Sequence, residues 1–469
     1  MMHFTRNKKK RMVMILALVM AALLCAPVCV YASEDEPEMT YVAVGIKYGR
    51  SAVDSCEMYS DYGFQIVDIS DGMEETLPLP GYDHLVIEAE NGMINVYDED
   101  GATLVTDLGE NSVIMTGDYL DEGMFTSSVN ARTYRGGLKF HVRDNGDINV
   151  INYVSLDHYL YGVLHGEMGA HNPLESLKAQ AVAARSYAMA ERSSHKSEGF
   201  DLCNVSHCQM YYGVDYERER TSQAVDETSE LVIWHDGEIV PAYYCKNSGG
   251  YTQNSEDVWG SVSGYLKAVE DIWSPEYEWT ASYTWEDLTE RIPDIGDVED
   301  AYVTEWTDNG NVYELTVVGE DDTKVLKREK IRTTLGASLC KSLRFELEGG
   351  SGKTIVIPAS VSVLGADGLE TDREEIVVYG SEDESFEYDS LDGMVVLGAS
   401  VEKTLKDKEV KSMASDEGIT LTGYGYGHGI GMAQDSAIVM GEEGLDFEEI
   451  LHFFYTDIEI DYVNGGYDE

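Results

Sequence analysis

Apolar residues recur along this chain in two registers. From residue 33 to about 155 they come in short alternating or β-rich runs, such as 41–46 and 85–88. That two-residue period predicts half-buried strands. Asn91-Gly92 and Asn145-Gly146 stand between such runs. They predict hairpins, because these dipeptides readily take the positive φ of tight turns. Near residue 155 the period changes. Leu156, Tyr159, Leu160, Val163 and Leu164 fall at helical spacing and form one apolar stripe. A second, alanine-rich helix is expected over 174–192. Asn172 is its cap, Pro173 its first residue, and Glu175 follows three residues after the cap. Strands return over 230–345, where Asp308-Asn309-Gly310 separates 301–306 from 312–318. A last helix has Asp446 and Glu449 as a capping pair and Phe447, Ile450, Leu451 and Phe454 as its buried stripe.

The N-terminus changes the picture. Arg6, Lys8, Lys9, Lys10 and Arg11 precede an apolar run over 12–31. Residues 1–32 read as a signal peptide cleaved before Ser33, or as a membrane anchor, since the run is longer than a usual signal core. Either way the remainder is expected outside the cytoplasm, secreted or anchored at the cell wall. The chain has 33 basic and 87 acidic residues, a net charge of −54. Such a surface repels phosphate backbones, which excludes nucleic acid as a partner. Of seven cysteines, Cys25 and Cys29 lie in the export segment. The other five are odd in number and irregularly spaced, so no disulfide scaffold is expected.

Three places carry chemistry. One further step of the first helical stripe reaches Glu167, which puts a carboxylate on the buried side of a helix end. Desolvation raises such a pKa and suits it to general acid catalysis; the alternative is a glutamate pointing to water from a fraying end. His195, Cys203, His207 and Cys208 lie within fourteen residues, a donor set for a tetrahedral zinc ion. Adjacent His207 and Cys208 converge on one ion with difficulty, so His195, Cys203 and Cys208 are the firmer three. A Cys203–Cys208 disulfide is the alternative. Finally, Gly423, Gly425, Gly427, Gly429 and Gly431 occupy every second position, with Tyr424, Tyr426 and His428 between. This predicts a strand with one bare face, flanked by rings that stack on sugars.

The stretch Asp157-His158-Tyr159-Leu160-Tyr161-Gly162-Val163, then Gly166-Glu167-Met168, then 177–188 (LKAQAVAARSYA) resembles stage II sporulation protein D and its amidase-enhancer relatives. Ser248-Gly249-Gly250 with Thr252 and Trp259, and Gly427-His428-Gly429-Ile430-Gly431-Met432-Ala433-Gln434, resemble two further segments of that family. Asp435-Ser436-Ala437 and 454–457 (FYTD) depart from its usual residues. The resemblance implies a lytic transglycosylase acting on peptidoglycan glycan strands, with Glu167 catalytic. It supports a structural zinc at His195, Cys203, His207 and Cys208. It makes His428, Gln434, Tyr426, Ser248 and Arg185 candidates for substrate binding, with orientation of Glu167 the alternative role for His428 and Gln434. It further implies a preference for strands stripped of stem peptides, and so a cell-wall amidase as partner. The rival readings are a non-catalytic wall-binding enhancer of an amidase and a zinc hydrolase. The expected fold is α+β: a β-rich N-terminal region over 33–135, then a mixed α/β catalytic domain around a cleft, built from 136–345 with 419–465. Residues 346–418 are expected to form an acidic insertion or a small β subdomain.

Overall fold

The computed structural model describes residues 40–464, apart from 71–73, 119–120 and the short segments between the strands of 351–416. The expected export segment at 1–32 lies outside the described residues, as do the side chains of 351–416. Among the described residues no helix is long and apolar enough to cross a membrane.

The fold is α+β with a β-rich N-terminal region. Tyr41–Lys47 is apolar on both faces and six of its seven residues are buried. Such a strand belongs in the middle of a sheet. It pairs antiparallel with Ile148–Ser155 and parallel with Leu202–Cys203. The sheet continues through Gly137–Val142, Ser112–Asp118, Phe64–Asp68 and Glu74–Leu79, and Asp121–Glu122 makes its eighth strand. It therefore draws strands from both sides of residue 135. A six-stranded sheet holds the hairpin expected at Asn91-Gly92: His84–Glu90 pairs with Met93–Tyr97, and Asn91 and Gly92 both have positive φ.

Ile148–Ser155 runs straight into helix α1, Leu156–Glu167. Its five stripe residues are all buried. They share one core with Val42 and Val44 of the sheet, with helix α2 (Leu174–Ala190), and with Ile450 and Phe454 of the last helix. Ala179, Ala181, Ala183 and Ala184 are fully buried, so α2 approaches its neighbours on small side chains. The expected cap of α2 is not formed. Pro173 is the N-cap residue and no side chain caps it. The Asn172 amide donates instead to the Gly169 carbonyl (2.9 Å), and Glu175 accepts from the Phe447 N–H (3.1 Å). Asn172 thus turns back to a neighbour three residues upstream, and Glu175 takes a tertiary partner in place of the local one. The last helix, Phe447–Phe454, has its expected capping pair: Asp446 accepts from Glu449 N–H, and Glu449 accepts from Asp446 N–H.

A second core lies over 279–345 with Ile419 and Leu421. The hairpin expected around Gly310 joins Val298–Trp306 to Val312–Gly319. Phe345–Gly349 pairs with Gly418–Tyr424, with Gly349 opposite Ile419. Residues 350–417 thus leave and return at one end of a sheet. Thr354–Ile357 and Lys408–Lys411 pair antiparallel just beyond.

Arg185 is corrected here from a substrate-binding residue to a strut. It is 1% exposed. Its guanidinium pairs with Asp157 of α1 (3.0 Å) and donates to the Thr228, Leu231 and Val225 carbonyls at 2.7, 3.2 and 3.2 Å. A buried charge with this many partners is stabilising only as a set. Arg185→Ala should lower stability by about 3 kcal/mol, the low end for breaking a buried pair because Asp157 is partly exposed. Urea denaturation should show a lower midpoint at unchanged slope.

Candidate active site

Helix α1 ends at Glu167 because the chain turns extended at Met168. The carboxylate faces a cavity of about 450 Å³. Tyr187, Tyr243, Tyr244, Trp259, Tyr426 and His428 supply its aromatic lining, and Gln434, Met210, His207 and Cys208 line it as well. Glu167 Oε1 accepts from the Met210 N–H at 3.0 Å. The side chains of Tyr244 and Gln434 also hydrogen-bond it. Burial raises the Glu167 pKa above the ordinary glutamate value, and these three donors oppose the rise.

Each donor is itself held. Gln434 Nε2 donates to Gln180 Oε1 of α2 (3.2 Å). Tyr244 OH accepts from Gln209 Nε2 (3.2 Å), and Gln209 Oε1 accepts from Tyr159 OH of α1 (3.0 Å). Tyr244–Cys245 runs parallel beside Met432–Ala433. That approach depends on Gly431, whose φ is +70° and where a Cβ would stand 2.0 Å from the Tyr243 carbonyl oxygen. The glycine run is therefore not one flat strand. The strand ends at Tyr424, and Gly425, Gly427, Gly429 and Gly431 all have positive φ.

His428 lines the cavity, yet it is no proton donor near neutrality. Its Nδ1 accepts from the Ile430 N–H (3.1 Å), so the other ring nitrogen carries the proton and donates to the Tyr244 backbone. Burial first, then the Arg332 charge, lower its pKa to about 4. It steadies the residue that bonds Glu167. Ser248 lies off the cavity lining. It is buried and donates to Asp271 (2.6 Å), which also accepts from Ser436 (2.6 Å). Tyr426 is on the rim, 37% exposed. Asp435, a departure from the family pattern, pairs with Lys246 at 2.6 Å.

The sulfur and imidazole donors of His195, Cys203, His207 and Cys208 all lie within 4.8 Å of one another. All four converge, against the expectation for His207. The turn closed by Cys208 N–H to the Val205 carbonyl (3.1 Å) brings the adjacent pair to one side. His207 Nδ1 is 3.7 Å from Cys203 Sγ and 3.4 Å from Cys208 Sγ, and His195 Nε2 is 3.4 Å from Cys208 Sγ. Both cysteines are free thiols. Glu198 holds His195 Nδ1 at 2.9 Å, the kind of outer carboxylate that orients a ligating imidazole. Two sulfurs and two nitrogens at this spacing suit a tetrahedral ion. The cluster could hold a metal, and His207 and Cys208 make it one wall of the Glu167 cavity.

Residues 144–235 match the sequence profile of the stage II sporulation protein family. The match supports a domain of that family over those residues. The matched residues include both helices, Glu167 and the His/Cys cluster, while the glycine-rich wall lies beyond them. Similar proteins include an uncharacterized protein of Brachyspira hyodysenteriae, 27% identical over 341 residues, which is 71% of this chain and 73% of that one. An amidase enhancer of Bacillus subtilis is 26% identical over 298 residues, covering 63% of this chain but 39% of its own. Stage II sporulation protein D of Bacillus subtilis is 28% identical over 227 residues, 44% of this chain and 64% of its own. The chain thus spans well under two thirds of the amidase enhancer and just under two thirds of the sporulation protein.

Tyr244, Gln209 and Gln180 were not singled out by sequence reasoning as site residues. Gln180 stands inside the family-like LKAQAVAARSYA run, and its two-residue phase from Lys178 gives no sign that it reaches Gln434. Tyr244 carries no local signal at all.

An acid whose folded pKa exceeds its unfolded value binds more protons when folded, so it costs stability as pH rises through that window. Glu167→Gln removes the cost. The variant should melt above the parent at pH 7, and the gap should close as the pH falls below about 4, under the unperturbed glutamate pKa, where both states become protonated. Calorimetry across that range checks the sign.

Proposed function

We propose that this chain is a lytic transglycosylase of peptidoglycan, with Glu167 as general acid and then general base. The observation that best supports this is that Glu167 is the single carboxylate among the residues lining the cavity. Hydrolytic glycosidases generally use two carboxyl groups, the second serving as nucleophile or activating water. One carboxylate is enough when the substrate supplies its own nucleophile.

Protonated Glu167 gives its proton to the glycosidic oxygen between N-acetylmuramic acid and N-acetylglucosamine as the bond from C1 to that oxygen breaks. The carboxylate then takes the proton of the muramic acid C6 hydroxyl, whose oxygen bonds to C1. One product ends in a 1,6-anhydro ring and the other in a free hydroxyl. Glu167 is protonated again and no water is consumed. The raised pKa favours the first step. Met210 N–H, Tyr244 and Gln434 stabilise the carboxylate that the first step leaves. Tyr426, Tyr243 and Trp259 offer ring faces and edges to the sugars.

The chain acts outside the cytoplasm, at the wall, on strands already stripped of peptides by an amidase. The sporulation and amidase-enhancer names of its relatives support a wall-remodelling setting. A second reading, a binding protein that stimulates an amidase without cutting glycan, draws on the similarity to the amidase enhancer over 63% of this chain. The proposed ion at His195, Cys203, His207 and Cys208 is zinc. It would cross-link the loop before Met210 and take no part in bond cleavage, since all four positions are filled by protein.

Mass spectrometry of digested glycan strands should find 1,6-anhydro ends with the parent. Glu167→Gln should lower their rate of formation by roughly 10²–10⁴-fold, the usual contribution of a general acid–base. Intact strands with the parent chain, alongside a stimulated amidase, would establish the second reading instead. Metal analysis should return one zinc per chain. The double variant Cys203→Ser, Cys208→Ser should lose it and melt at a lower temperature; a metal-free parent with a Cys203–Cys208 disulfide would sink the zinc assignment.

A further inference from the structure

Lys341 is a cation held at the rim of the cavity with no anion beside it. Its Nζ lies 5.2 Å from the centre of the Tyr277 ring and 5.7 Å from that of Tyr426, and donates to Tyr277 OH at 3.4 Å. Tyr426 is one of the rings lining the cavity that holds Glu167. Among the described residues no carboxylate lies within 4.0 Å of Lys341, whereas Lys246, the lysine inside the cavity, is already neutralised by Asp435 at 2.6 Å. The backbone is fixed as well: the Lys341 carbonyl accepts from the Gly427 N–H at 2.8 Å. Three residues on, Arg344 also sits against a ring but is already engaged, its guanidinium donating to the Asn309 carbonyl at 2.9 Å. It lies 5.6 Å from the centre of the Tyr251 ring, and its carbonyl accepts from the Tyr424 N–H at 2.8 Å.

A partly buried ammonium such as that of Lys341 is costly to leave without a counter-ion. In a chain of net charge −54, carboxylates are abundant and most lysines near one would pair with it. Two tyrosine rings hold the ammonium by their negative faces while leaving its hydrogens free to donate. A pre-oriented ammonium beside a sugar-sized cavity is a receptor for a carboxylate on a sugar.

We propose that Lys341 forms a subsite for the free lactyl carboxylate of N-acetylmuramic acid. This rests on the glycan-cleaving reading of the cavity and gives it a specificity. In a strand that keeps its stem peptides, the lactyl carboxyl is tied up in an amide and carries no charge. Removing the peptide exposes the carboxylate. The subsite thereby distinguishes stripped from unstripped strands by one charge, read by an ammonium that has no other counter-ion among the described residues.

Binding, measured in the full chain carrying Glu167→Gln so that no strand is cut, tests this. Three probes are used: peptide-stripped glycan, peptide-bearing glycan, and an N-acetylglucosamine oligomer with no lactyl group. Adding Lys341→Gln should weaken binding of stripped glycan about tenfold, the effect of one lost charge-assisted contact. It should leave the oligomer unaffected, which also shows that the variant is folded. Lys341→Arg should keep most of the affinity, and added salt should weaken only the stripped strand. Equal losses for the stripped glycan and the oligomer, or no loss for either, would overturn the subsite. The two proposals separate cleanly. Anhydro ends from the parent with no Lys341 effect leave the lytic reading standing and remove the subsite. A Lys341-dependent preference without anhydro ends does the reverse.

Discussion

A carboxylate taken out of water at the end of a helix is the constraint on which this structure turns. Burial alone would keep Glu167 protonated and useless as a base. Hydrogen bonds alone would keep it ionised and useless as an acid. Burial pushes its pKa up while Met210 N–H, Tyr244 and Gln434 hold the rise in check. The general acid and base proposed for this position needs that balance. The three donors come from three distant stretches of chain, so the balance exists only once the fold has closed around α1.

The supports of those donors explain much of the surrounding architecture. Tyr244 is held from below by Gln209 and Tyr159, and its backbone is held by His428. Gln434 leans on Gln180 of α2. Met210 follows Cys208 by two residues, so the His/Cys cluster and one donor to Glu167 share a single short stretch of chain. Arg185 and Asp157 tie α1 to α2 behind the cavity and keep the helix carrying Glu167 in register with the helix carrying Gln180.

Features legible in the sequence were those set by local periodicity or by residues a few positions apart. The α1 stripe, the Asn91-Gly92 hairpin and the Asp446–Glu449 capping pair are of this kind. Asn172 failed as a cap although its spacing was right: its amide turns back to Gly169, and Glu175 is drawn to Phe447, a tertiary partner that spacing does not reveal. A glycine at every second position suits a bare strand face and a series of left-handed turns equally well. The sign of φ decides between them, and it follows from how closely the segment over 243–249 packs. Arg185 stood in the most family-like run of the chain and still proved to be a strut, since its carbonyl partners lie forty or more residues further on. Tyr244 was invisible for the same reason.

Charge distribution completes the physical picture. A polyanionic strand approaching a protein of net charge −54 meets repulsion at long range. At physiological ionic strength that repulsion is screened beyond about 8 Å. Binding is then decided by the charges within one sugar's width of the cavity. There the balance is not acidic: Glu167 resists ionisation, Asp435 is neutralised by Lys246, and Lys341 faces two tyrosine rings. An acidic exterior and a cavity rim whose lysine has no counter-ion among the described residues are therefore compatible, the first favouring solubility and the second being the feature on which the proposed strand selection rests.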